Sequence, residues 1–153
     1  SGRNGVEVIY TAGDFAAHIS ASEADTAVAS DRVAGTVAYT MNGWTAALGF
    51  QDSDTATDVE YTATLGGTIG GLSLGLGYAE TNAGVDRTVL TAGMDVGAAT
   101  NVEAYIADQQ GASDTAYGID FNHDLGGGTS LRGGVASLLT GQTIADFGVR
   151  FNF

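Results

Sequence analysis

Residues 144–153 read IADFGVRFNF, and their alternation decides the fold. Phe147, Val149, Phe151 and Phe153 fall on one side of an extended strand. Asp146, Gly148, Arg150 and Asn152 fall on the other. A half-buried strand of a soluble sandwich alternates with the same period of two. A charged strand running to an aromatic last residue is hard to place in a soluble core, and it suits a strand with lipid on one side and water on the other.

The same alternation recurs through the chain, with a period of about 12 to 15 residues that sets the spacing of transmembrane strands and turns. Eleven strands are predicted: 6–11, 15–22, 32–41, 44–51, 60–69, 72–79, 87–96, 101–107, 116–124, 130–138 and 144–153. No helical period is present, and Val, Thr, Tyr and Phe recur throughout. The connections alternate in kind. Gly13-Asp14, Asn42-Gly43, Gly70-Gly71, Gly97-Ala98 and Gly126-Gly127-Gly128 are tight turns. Asn-Gly and Gly-Gly supply the positive φ that two-residue hairpins need. Between them fall longer polar connections near 23–31, 53–58, 81–86, 109–114 and 140–143. Short turns at one end and longer loops at the other are the wiring of an outer-membrane barrel.

Parity sorts the side chains. One face carries Phe15, Ile19, Val37, Trp44, Leu48, Phe50, Leu65, Leu74, Leu90, Ile106, Ile119, Val135 and their alternates, with no charge in the strand interiors. A basic residue there would cost about 2–4 kcal/mol at mid-bilayer. The other face carries Glu7, His18, Arg32, Gln51, Glu60, Arg87, Glu103, Asp120, Asn122, Arg132, Asp146 and Arg150, with Thr36, Thr40, Thr45, Thr62, Thr64 and Thr91 between them. So many charges in a packed core would need near-complete pairing, and a wet interior removes the problem. The aromatics divide into two predicted belts. Phe15, Tyr39, Trp44, Phe121, Phe151 and Phe153 lie towards the tight turns; Phe50, Tyr61, Tyr78, Tyr117 and Phe147 lie towards the long loops.

Composition narrows the function. The chain has 153 residues, 24 Gly, no Pro, no Cys and a net charge of -13. All five basic residues are Arg. The length allows one domain, and with the alternation it is read as a single β-barrel segment over 1–153. The acidic balance disfavours nucleic acid as a partner. The absence of Cys removes thiol chemistry and Cys-based zinc sites. No run of about 18 apolar residues offers a membrane helix.

Residues 99–108 (ATNVEAYIAD), 114–137 (DTAYGIDFNHDLGGGTSLRGGVAS) and 144–153 resemble an alphaproteobacterial, Rhodobacter-type general outer-membrane porin, in its carboxy-terminal part. Residues 5–22 fit the same family more loosely. The resemblance implies an all-β, antiparallel up-and-down transmembrane barrel, of which this chain supplies about eleven strands out of sixteen. It implies a homotrimer in the bacterial outer membrane, in contact with membrane lipid and lipopolysaccharide, passing small hydrophilic solutes. Phe153 matches the family's terminal assembly signal. An odd strand count departs from the even number of bacterial single-chain barrels. The expectation is that five upstream strands and the inward-folded loop after them are missing. That loop supplies much of the family's acidic pore lining, so its charges have no counterpart here.

The expected pore-lining residues are Arg32, Arg87, Arg132, Arg150, Glu60, Glu103, Asp120, Asp146 and His18. Arg stays charged at any working pH, so a basic stretch of wall facing acids would set up a transverse field. The plainer reading pairs each Arg with a lumenal neighbour such as Asp146 or Glu103. His123 follows the apolar parity and is expected at the interface. Neither histidine has metal-ligand spacing, so no metal or cofactor is expected. Asp52-Ser53-Asp54 and Glu23-Ala24-Asp25 offer carboxylates to a loop-bound calcium ion but lack the spaced acid pattern of a dedicated site, and solvated loops are the favoured reading. No catalytic spacing is present, and an enzyme is not expected. The competing function is a secreted β-sandwich or solenoid that binds calcium or glycans through its acidic loops.

Overall fold

The computed structural model describes residues 4–23 and 31–152. Arg3, most of the first long loop and Phe153 lie outside them. Eleven strands run in chain order: β1 (Asn4–Ala12), β2 (Phe15–Glu23), β3 (Arg32–Met41), β4 (Trp44–Ser53), β5 (Glu60–Ile69), β6 (Leu72–Glu80), β7 (Asp86–Val96), β8 (Thr100–Gln109), β9 (Ala116–Gly126), β10 (Thr129–Ser137) and β11 (Thr143–Phe151). The predicted β3 and β5 bounds are met. The other strands reach one or two residues further at one end or both, because strand pairing continues past the last alternating apolar residue, while β10 and β11 end at Ser137 and Phe151, sooner than predicted. The sheet order is strictly sequential, β1 to β11, and the pairings given are all antiparallel.

The tight turns work as their residues demand. Asn42 (φ 52°) and Gly43 (φ 78°) both occupy the left-handed region, as a type I′ hairpin requires. Asn tolerates that region because its short polar side chain can bond locally. The longer connections are held by backbone bonds such as Asp54 N–H to Asp31 C=O at 3.2 Å and Asp114 N–H to Leu139 C=O at 3.0 Å.

The contacts group into two compact units. Unit 1 holds residues 1–66 and 77–86; unit 2 holds 67–76 and 87–153. Within each, cross-strand register keeps the two faces distinct, since directly opposed residues project to the same side. In unit 1 the apolar set runs Tyr10↔Ala17↔Val37↔Leu48 and Phe15↔Tyr39↔Ala46. In unit 2 it runs Leu90↔Ile106↔Tyr117 and Ala104↔Ile119↔Val135. Among the described residues, charges of apolar parity stand only at strand ends by the long loops, as with Asp52, opposite Val33, and Asp108, opposite Thr88.

Neither unit packs a core. Among the described residues the one buried hydrophobic is Ala116, while Leu48 (61% exposed) and Phe147 (71% exposed) stand open on the apolar face.

One detail of the aromatic belts is corrected. Phe121 and Phe147 are not at opposite ends. Both lie opposite Gly133, with ring centroids 6.4 Å apart. A Cβ at Gly133 would come within 3.0 Å of each ring. Position counted from a strand's end ignores the stagger between strands, and β11 starts its pairing with β10 only at Thr143. Tyr10, absent from the predicted belts, joins Phe15 near the first tight turn at 6.3 Å.

Candidate functional site: the polar face

The polar face of unit 1 gathers Arg32, His18 and Glu60. Arg32 lies opposite Ser22 and Ser53, and His18 opposite Ile9 and Thr36. Glu60 accepts a hydrogen bond from Gln51 Nε2 at 3.0 Å. His18 Nε2 lies 3.2 Å from Glu7 Oε1, at ion-pair distance but without hydrogen-bond alignment. Thr40 and Thr45 share a hydroxyl bond of 2.9 Å. The middle of this wall is small or hydroxylic. A Cβ at Gly49 would meet the Thr62 hydroxyl at 2.7 Å, so Thr62 leans across the glycine.

The polar face of unit 2 gathers Arg87, Arg132, Arg150, Glu103, Asp120 and Asp146. Register lays three of them in one row: Gly93↔Glu103↔Asp120↔Gly134↔Asp146. Glu103 and Asp120 are direct opposites, and like charges so placed destabilise a strand pair. Each carboxylate stands beside a glycine. A Cβ at Gly93 would lie 3.4 Å from Glu103 Cγ, and one at Gly134 would lie 2.9 Å from Asp120 Cβ.

The arginines of unit 2 do not form one basic stretch. Arg87 sits at the long-loop end, opposite Gln109. Arg132 and Arg150 sit towards the tight turns, opposite Asn122 and Ser130. The plainer expectation, pairing with Asp146 or Glu103, is not how Arg132 is held. Its Nε donates to Asn122 Oδ1 at 3.1 Å, and Asn101 beside it donates to Asp95 at 3.1 Å. His123 lies on the apolar face opposite Leu131 and Thr100, with Nδ1 2.7 Å from the Thr100 hydroxyl.

Parity reasoning missed several residues of this face. Ile9, Val89, Tyr105 and Ile144 all carry polar-face register. Tyr105 lies opposite Thr91 and Gly118. A Cβ at Gly118 would approach Tyr105 Cε1 to 2.7 Å, so the ring lies across that glycine. The signal was available: these residues share odd or even numbering with the charges on their strands. A list built from charged residues passes over them.

Among the described residues no group of three or more His, Asp or Glu side chains is arranged to hold a metal. Asp52-Ser53-Asp54 closes β4, where Ala56 N–H bonds Ser53 C=O at 3.0 Å; most of Glu23-Ala24-Asp25 lies outside the described residues.

No family model matches the chain. Over 56 residues it is 43% identical to a porin of Fuscovulum blasticum, a stretch that covers 36% of this chain and 19% of that protein. A mutant of the Rh. blastica porin has the same fold over 99% of this chain and 55% of its own length, with a TM-score of 0.80 and 25% identity. A porin structure refined at 1.8 Å matches with a TM-score of 0.73 at 25% identity, over 99% of this chain and 62% of its own. The chain thus spans little more than half of the porins it superposes on. The likeness to a Rhodobacter-type porin read from residues 99–108, 114–137 and 144–153 is found again by comparison of both sequence and structure.

Proposed function

We propose that this chain forms part of an outer-membrane porin, a water-filled pore for passive diffusion of small hydrophilic solutes and ions. The observation that carries the reading is the bare apolar face. Each unit exposes Val, Leu, Ile, Phe and Tyr along one face, and among the described residues no core packs against them. An exposed apolar patch on this scale calls for a membrane. A strand can sit there because its backbone bonds are met by its neighbours, provided that the sheet closes.

Closure supports the finer part of the proposal. The described sheet order ends at β1 and β11, whose outer edges would present unpaired N–H and C=O groups. In this reading further strands complete a sixteen-stranded barrel, the barrels associate as a homotrimer, and lipid and lipopolysaccharide cover the apolar face. Arg32, Arg87, Arg132, Arg150, Glu60, Glu103, Asp120, Asp146 and His18 line the lumen, and Phe153 serves as the assembly signal. The channel performs no enzymatic step. The acidic-loop sandwich gains no comparable support, because a sandwich buries its inner faces against one another.

Spin labels test the reading on the full-length protein in lipid. Labels at Leu74, Ala104 and Val149 should report lipid, and labels at Thr64, Glu103 and Arg150 should report water. The reconstituted protein should also give stepwise conductance. Mixed accessibility along one strand, or solubility without detergent and no conductance, would overturn it.

A further inference from the structure

The polar face of unit 2 is not uniformly polar. Two adjacent rows of it are apolar apart from Thr91. One is Val89↔Ala107↔Ala116; the next is Thr91↔Tyr105↔Gly118↔Ala136↔Ile144. Val89 is 36% and Ile144 47% exposed, so these side chains are not filling a core. The acidic row begins one pairing step further towards the tight turns. A depression of about 410 Å³ joins the two, bounded by Val89, Thr91, Gly93, Glu103, Tyr105 and Asp120.

Three physical facts meet there. Tyr105 Cε1 and Cζ come so close to Gly118 that an added methyl would meet them at 2.7 and 3.2 Å, so the ring rests against the wall at that glycine. Gly93 leaves the floor of the depression without a side chain beside Glu103. Glu103 and Asp120 repel each other in direct opposition, a cost that a cation placed between them relieves. An aromatic ring next to a carboxylate pair attracts a cation twice, through the ring's quadrupole and through charge. Among the described residues unit 1 has no such combination: its Ile9 lies opposite His18, which in turn lies opposite Thr36.

We propose that this wall carries a subsite for small amphipathic organic cations, with Tyr105 and Val89 taking the apolar body and Glu103 and Asp120 the cationic head. The inference rests on the reading of this face as the water-facing wall of a pore. It adds a class of solute that the wall would retain in passing. A protonated amine on a short aromatic or aliphatic body fits. A neutral aromatic lacks the head, and a bare ammonium ion lacks the body.

The test uses the full-length protein that contains this chain, in detergent, titrated calorimetrically with phenethylammonium, benzyl alcohol and ethylammonium. Phenethylammonium should bind more tightly than either control. Asp120→Asn and Tyr105→Leu should each weaken it roughly tenfold, the scale of a partly desolvated cation–π or charge contact, while Tyr105→Phe should retain it. Gly118→Ala should weaken it through displacement of the ring. Glu103→Gln and Asp120→Asn leave the apolar rows intact and carry the test if Tyr105→Leu fails to fold. Equal binding of benzyl alcohol, or no binding because another segment of protein covers the wall, overturns the proposal. Bilayer recordings separate the two readings. Conductance without phenethylammonium binding sinks the subsite and leaves the pore. Binding without conductance sustains the subsite and sinks the pore.

Discussion

The two units build the same sheet with opposite electrostatic habits. On the polar face of unit 1, Glu60 is bonded to Gln51, Glu7 stands against His18, and Thr40 bonds Thr45. On that of unit 2, Glu103, Asp120 and Asp146 share one row, while Arg132 turns to Asn122. A wall whose carboxylates stand several strands apart, as Glu7 and Glu60 do, presents a weaker field. A wall with aligned carboxylates presents a strong one, at a cost in strand-pair stability. The difference teaches that alternation sets which face is wet, while register decides whether the charges on it cancel or add.

The sharpest way to break the comparison is to ask first whether the two faces are equivalent in both units. Leu48→Arg in unit 1 and Ala104→Arg in unit 2 should each cost about 2–4 kcal/mol and reduce the heat-modifiable folded band on a gel. Ala47→Arg and Thr91→Arg, on the other face, should fold. Four equal outcomes would erase the distinction between faces. Next in size is the glycine of the acidic row. Gly134→Ala puts a methyl 2.9 Å from Asp120 Cβ and 3.1 Å from the Ile119 carbonyl, atoms tied to the backbone, and should lose about 1–3 kcal/mol. Gly49→Ala meets the Thr62 hydroxyl at 2.7 Å and the Thr36 methyl at 3.2 Å, side-chain ends that can turn away, so its urea midpoint in micelles should fall less.

Selectivity sharpens the contrast further. In a salt gradient, removing charge with Glu103→Gln, Asp120→Asn and Asp146→Asn together should move the reversal potential towards anions. Glu60→Gln should move it less. The shift should fade in about 1 M salt, where the Debye length is about 3 Å. An equal shift from Glu60→Gln would mean that the acidic row carries no special field. Arg132→Gln should move the potential the other way and by less, since it removes one charge and not three. The smallest effect belongs to unit 1: Thr40→Val breaks one exposed 2.9 Å hydroxyl bond and should cost about 0.5–1 kcal/mol in the same urea series.

The strands were legible because two independent signals coincide in this chain. Alternation of period two is interrupted at Asn42-Gly43 and Gly70-Gly71, where the backbone adopts positive φ at both positions. Face assignment was legible for the same reason, and register upholds it for His18, Arg32, Glu103, Arg132 and Arg150. What lay across strands was not legible. The level of Phe147 beside Phe121, the Asn122 partner of Arg132 and the seat of Tyr105 over Gly118 depend on stagger. Stagger is a property of pairs of strands, and a single strand's alternation is blind to it. Tyr105 and Val89 were missed on a different ground, since apolar residues on a charged face leave no mark in an inventory of charges.

The strictly sequential strand order has a consequence for how such a wall can change. Among the described residues every strand bonds only to its neighbours in the chain, so the sheet is a string of hairpins with no crossover to unpick. Losing or duplicating one hairpin removes or adds two strands and leaves the direction of all later strands, and the side on which every loop emerges, unchanged. Losing a single strand turns everything downstream upside down. Variation in such a molecule is therefore quantised in pairs, and the hairpin, more than the residue, is the natural unit of its evolution.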